Sequence, residues 1–192
     1  MVNELGLLID SRLRFDRQVT KVCSKVYATL YRLRLLKFLT PKSVRLKLCK
    51  PLLIPHFFFC DVVYSRLRVV DFRRLEVTFN SCTRYVFGLR RFDHLSVNRN
   101  ALLGIPLALF FDYRVHLFFF RLIRSGCPGY LFSDVVGARS TRTANFIFPG
   151  TYHVDSVLAR GIRLWNDLPL IIKESRSVAA FGGAVYARLK TV

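Results

Sequence analysis

The stretch FDRQVTKVCSKVYATLYRLR, residues 15–34, decides the fold class. Phe15, Val19, Val22, Val26, Leu30 and Leu33 recur at intervals of three and four, which gathers apolar side chains on one face of an α-helix. At about 100° per residue, Arg14, Arg17, Lys21, Lys25 and Arg32 fall within an arc of about 80° opposite that stripe. One face is built to be buried. The other offers a row of cations either to a phosphate backbone or simply to water.

Working outward, the pattern stays mostly helical. Before the helix, Leu5-Gly6-Leu7-Leu8-Ile9 reads as a short strand with no obvious hairpin partner nearby. After it, Thr40-Pro41 supplies an N-cap and a proline at the first helical position, so a second helix starts there and carries Leu46 and Leu48 until Pro51 and Pro55 interrupt it. Phe57-Phe58-Phe59-Cys60, continuing to Tyr64, reads as a buried helix, with a strand as the alternative that periodicity leaves open. A further helix over 70–87 buries Phe72, Leu75, Phe79, Cys82 and Val86, with Gly88 as its left-handed stop.

The stretch 107–124 is apolar on nearly every side, with Phe110, Phe111, Phe118, Phe119 and Phe120 among its residues, and belongs in the centre of a bundle. Ser125-Gly126-Cys127-Pro128-Gly129 breaks the chain. Residues 134–154 read as loops with a small hairpin near 144–154. A helix over 156–165 follows, ended by Pro169, with Trp165 packed into a C-terminal core. The last helix begins after Ser177 as N-cap. Gly182-Gly183 inside it costs about 1 kcal/mol per glycine relative to alanine, which favours fraying. The expected fold is mainly α.

Composition narrows the partners. With 52% hydrophobic residues the chain has ample material for a packed core. Lys and Arg number 31 against 12 Asp and Glu, a net charge of +19, which points to a polyanion. Nucleic acid leads, and an anionic membrane surface follows. Residues 1–100 carry 20 of the basic and 7 of the acidic side chains, so the first half is the better electrostatic footprint. The uncharged runs, such as 51–60 and 101–111, fall short of the roughly 18 residues that cross a bilayer. No basic leader with an apolar stretch opens the chain, so an intracellular location, nuclear or cytoplasmic, is expected.

Chemistry is hard to find. Cys23, Cys49, Cys60, Cys82 and Cys127 are odd in number and fit neither a disulfide framework nor a zinc pattern, so they read as reduced and mostly buried. His56, His94, His116 and His153 are widely separated. Asp93-His94 and His153-Val154-Asp155-Ser156 contain triad residue types, but adjacency in sequence makes no hydrogen-bonded relay. There is no phosphate-binding glycine loop and no adjacent acidic pair to hold two metal ions. No metal, no cofactor and no catalytic residue is expected.

Several segments, taken in order, resemble the part of jockey-like non-LTR retrotransposon reverse transcriptases that follows the polymerase palm. Leu5-Gly6-Leu7-Leu8-Ile9-Asp10 with Leu13 looks like the last palm strand and the entry into the thumb, and Leu39-Thr40-Pro41 like the break between thumb helices. Asn80, Arg84, Gly88-Leu89 and Arg91-Phe92-Asp93-His94 resemble the helix and turn that follow. Cys127-Pro128-Gly129-Tyr130-Leu131 and Arg139-Ser140-Thr141-Arg142 fit the next stretch. Arg163-Leu164-Trp165-Asn166-Asp167-Leu168-Pro169, then Ser177-Val178 and Phe181, is the most specific signature. Phe79, Phe110-Phe111 and Gly182-Gly183 depart from the family's pattern, which has glutamine at the first and often basic residues at the second.

The resemblance implies a fragment of an RNA-directed DNA polymerase whose catalytic carboxylates lie upstream of Leu5. Asp10 and Asp16 fall outside the family's catalytic motif. It implies a remnant palm strand over 1–13, a thumb-like helical region over 14–95 and a C-terminal helical region over 96–192. The expected function is binding of RNA or an RNA/DNA hybrid through backbone contacts, by Arg14, Arg17, Lys21, Lys25 and Arg32, without catalysis. The alternatives are a module that docks on a polymerase palm domain in trans, with residues 5–9 adding to a sheet edge, and a decayed reading frame without function.

Overall fold

A computed structural model describes residues 2–62, 67–95, 98, 100–136, 145–146 and 156–191. The chain is mainly helical and divides into two compact units, Met1–Leu107 and Ala108–Val192.

The first unit opens with a hairpin. Strands β1 (Val2–Glu4) and β2 (Leu7–Ile9) pair antiparallel, with Asn3 opposite Leu8. The strand expected without a partner therefore has one, immediately upstream. Leu5 and Gly6 form the turn at φ 48° and 91°, the pair of positive angles that a tight two-residue hairpin turn requires. Leucine in the first turn position hid it.

The chain then curls round Asp10, whose carboxylate accepts from the N–H groups of Arg12, Arg14 and Phe15 at 2.8–3.2 Å. Helix α1 (Asp16–Leu35) follows. Each apolar residue of its stripe, from Phe15 to Leu33, is buried. The stripe packs chiefly on α4 (Val69–Phe87), with α2 (Lys42–Leu52) and α3 (Ile54–Phe58) completing the bundle. Leu75, Cys82 and Val86 of α4 meet it with no exposed surface. Phe79 stands edge-on to Phe57 at 5.5 Å between ring centroids, so the first departure from the family's pattern is a core position.

Several expectations shift by a few residues. Thr40 does not cap α2: its hydroxyl turns back to the Leu36 carbonyl at 2.9 Å, and Pro41 takes the N-cap position. Pro51 lies in the last turn of α2 without ending it. The buried helix expected from Phe57 ends at Phe58, leaving Phe59 exposed, and Tyr64 lies outside the described residues. Phe72 is half-buried. Gly88 ends α4 at φ 72°, the left-handed stop expected of it.

In the second unit, α5 (Leu107–Ser125) carries the core, and α6 (Gly129–Val136), α7 (Val157–Asn166), α8 (Leu170–Lys173) and α9 (Val178–Lys190) are grouped with it. Phe119, Phe120 and Leu122 are buried with Ile162, Trp165, Leu168, Phe181 and Val185. Phe120 stacks on Phe181 at 4.1 Å. Trp165 is 5% exposed and lies near the end of α7, in the core as expected. Ser156 and Ser177 cap α7 and α9 by accepting from Ala159 N–H and Ala180 N–H.

Helix α9 runs unbroken through its glycine pair, and Gly182 lies where a Cβ would come within 3.2 Å of Tyr113 and Leu117. Phe111 is buried and Phe110 half-buried, which suits an apolar helix. Residues 134–136, expected in a loop, belong to α6. The hairpin expected near 144–154 lies outside the described residues except for Asn145 and Phe146. Asn166 grips Phe146 by both backbone groups, accepting from its N–H at 3.0 Å and donating to its carbonyl at 2.9 Å. Within the Arg163-to-Pro169 stretch, Trp165 and Leu168 fill the core and Asn166 fastens a neighbouring segment. Among the described residues, no helix is long and apolar enough to cross a membrane.

Candidate nucleic-acid interface

The five expected cations part company in the structure. Arg17, Lys25 and Arg32 are exposed on α1. Arg14 is exposed too, but precedes the helix, because Asp10 holds the N–H groups of Arg14 and Phe15 in a turn. Lys21 is half-buried, and its Nζ donates to the Gly6 carbonyl at 2.7 Å. The hairpin folds over the first turns of α1 and takes that charge out of the row. Gln18 Oε1 accepts from Leu8 N–H at 3.1 Å, so β2 is engaged by β1 on one edge and by Gln18 on the other.

Lys25 lines a groove of about 390 Å³ with Pro55, His56 and Phe59. Burial, and then the charge of Lys25, push His56 below its ordinary 6.5. Asp10 is lowered as well: desolvation opposes its charge, but the amides of Phe15, Arg14 and Arg12 outweigh it and hold the carboxyl below 3.8.

A wider feature escaped the helix-by-helix reading. From Arg17 to Cys60 the sequence has ten Lys and Arg and not one Asp or Glu. Lys47 and Lys50 of α2 are exposed, and Lys42 lies 4.2 Å over the Phe87 ring. Arg45 turns inward to donate to the Tyr85 carbonyl at 3.1 Å. A scan for missing acids, instead of for rows of bases, would have found this surface.

The same bundle holds a cleft of about 840 Å³. Arg34 reaches it from the end of α1, Lys37 from just beyond that helix, Arg84 from α4 and Arg91 from the loop after α4. No carboxylate is among the described residues that line it. Val77, Leu89 and Leu95 supply apolar wall, and Asn80, Ser81 and Tyr27 supply polar edges. Arg84 also builds the site, donating to the Arg90 and Asp93 carbonyls at 3.1 and 3.2 Å, while Asp93 accepts from Arg90 N–H at 2.6 Å. The loop thus hangs on one guanidinium, and Asp93 of the Asp93-His94 pair is engaged in holding it. Tyr85 lines the cleft too. It is 2% exposed, and among the described residues its hydroxyl has no hydrogen-bond partner.

Among the described residues no cluster of three His, Cys, Asp or Glu could hold a metal ion. Cys23, Cys49 and Cys82 are buried, whereas Cys60 and Cys127 are exposed. The hydrogen bond between the Cys49 and Cys82 thiols pushes Cys82 up, and burial adds to it; the same bond lowers Cys49 against its burial. Comparison of the chain with protein-family models, curated proteins and solved structures finds no match.

Proposed function

We propose that the chain binds RNA or an RNA/DNA hybrid through the phosphate backbone, without reading sequence and without catalysis of its own, as the gripping part of a retrotransposon-type polymerase. The observation that carries this reading is the acid-free run of 44 residues, from which Arg17, Lys25 and Arg32 stand exposed along one helix. A polyanion meets attraction there with no carboxylate of that run to repel it. The motif resemblance supports the same reading and supplies its polymerase context. On this reading the chain works inside the cell, in the nucleus or the cytoplasm, wherever its RNA is.

Titration of a short labelled hybrid at increasing salt tests it. If three phosphates are neutralised, log affinity falls with log salt at a slope of roughly −3, taking about −0.9 per phosphate as the guide. Replacing Arg17, Lys25 and Arg32 together by glutamate weakens binding to all sequences alike and flattens the slope. These positions are exposed, so the helical circular dichroism stays. Equal affinity and slope for both proteins would refute the assignment to this face.

A further inference from the structure

We infer that the cleft beside α4 takes the unpaired, phosphate-bearing end of a nucleic-acid strand. The inference rests on the proposed backbone binding and gives it a second, distinct site. Three observations converge on it. Arg34, Lys37, Arg84 and Arg91 bring four cations from three segments to one cavity, so the ligand carries more than one negative charge. The apolar walls and the Asn80 amide suit a flat heterocycle with polar edges, and about 840 Å³ is room for a nucleotide-sized body. Finally, Tyr85 brings a buried hydroxyl that no group among the described residues satisfies. Buried polar groups are nearly always paired. A turn of the Tyr85 side chain into the cleft lets a base or ribose give this one its partner.

A duplex is too wide for such a space, whereas one or two unstacked nucleotides fit. Bases freed from a helix bind by stacking and by phosphate contact together. Arg91, whose guanidinium lies 5.7 Å from the exposed Phe92 ring, sits beside an aromatic surface of the required kind.

The full-length chain is titrated with a labelled RNA/DNA hybrid in two forms, blunt and with an unpaired overhang of about three nucleotides, which stacking alone favours by roughly tenfold or more. The expected result is tighter binding of the overhang form. The ratio of the two affinities then falls in Tyr85→Phe by roughly two- to tenfold, the contribution of one hydrogen bond, while the melting temperature holds or rises. A structural role for the hydroxyl would lower the melting temperature and leave the ratio alone. Arg34→Ala and Arg91→Ala, both at exposed positions, reduce the ratio further.

If both forms bind equally in a salt-dependent way, the cleft inference is overturned and the backbone reading stands. If neither binds, both are overturned. Adenosine triphosphate serves as the probe for a free nucleotide with the same chemistry. If it saturates the cleft at low concentration while the overhang brings no gain, the ligand is a free nucleotide and the strand-end assignment fails.

Discussion

Gly161 and Gly183 both lie inside helices of the second unit, yet their surroundings are opposite. A Cβ at Gly161 would come within 2.6 Å of the Phe119 ring, whereas one at Gly183 would meet nothing within 4 Å. Alanine at 161 must push a buried ring aside and destabilises by about 1–3 kcal/mol. Alanine at 183 gains roughly 1 kcal/mol of helix propensity. Denaturant midpoints of the two variants should therefore move in opposite directions from wild type. His116 gives a second residue-scale test. Burial pushes its imidazole below 6.5, against the pull of the Asp112 carbonyl, to which its Nδ1 lies at 2.8 Å. Between that lowered value and 6.5 the unfolded chain binds the proton and the folded chain does not. Stability from this group thus falls as pH drops through 6.5, by up to about 1.4 kcal/mol per pH unit, and levels off below the folded value. Denaturant unfolding at about pH 7.5 and 5 should show a steeper loss for wild type than for His116→Asn.

At the scale of elements, Asn166 at the end of α7 fastens Phe146 by both of its backbone groups. Asn166→Ala leaves a half-buried N–H and carbonyl without their partner and is expected to destabilise by about 1–3 kcal/mol. Asn166→Asp keeps the acceptor and loses the donor, so it should fall between the two in a denaturant titration. Helices α1, α4, α7 and α9 were legible in the sequence because their apolar residues keep helical spacing and because Gly88, Ser156 and Ser177 mark ends with local chemistry. Helix α6 was not, since the Gly and Pro before it read as the start of a long break. Strand β1 was missed because three exposed residues show no alternation against a core. The site was less legible than the fold. Charge and spacing found Arg17, Lys25 and Arg32, but nothing local could show that Lys21 would turn to the Gly6 carbonyl. The cleft's cations come from α1 and just beyond it, from α4 and from a loop, up to 57 positions apart, and only folding brings them together.

At the scale of the whole molecule, the acid-free run has a consequence for the protein when it holds no ligand. Ten like charges within 44 residues, drawn together into one helical bundle, repel one another, and the compact state feels this more than the extended chain does. Salt then acts with two signs. By screening over about 10 Å at 0.1 M it relieves the strain of the empty fold, and by the same screening it loosens the polyanion. Without ligand, the melting temperature should rise as sodium chloride goes from about 0.05 to 0.5 M. With a saturating hybrid the starting value should be higher, because a ligand that binds only the folded state stabilises it, and added salt should first lower it. A melting temperature indifferent to salt without ligand would mean that the repulsion is already relieved within the chain. The two curves should converge at high salt, where ligand and like charges alike are screened from view, so the nucleic acid serves this fold as its missing counter-charge.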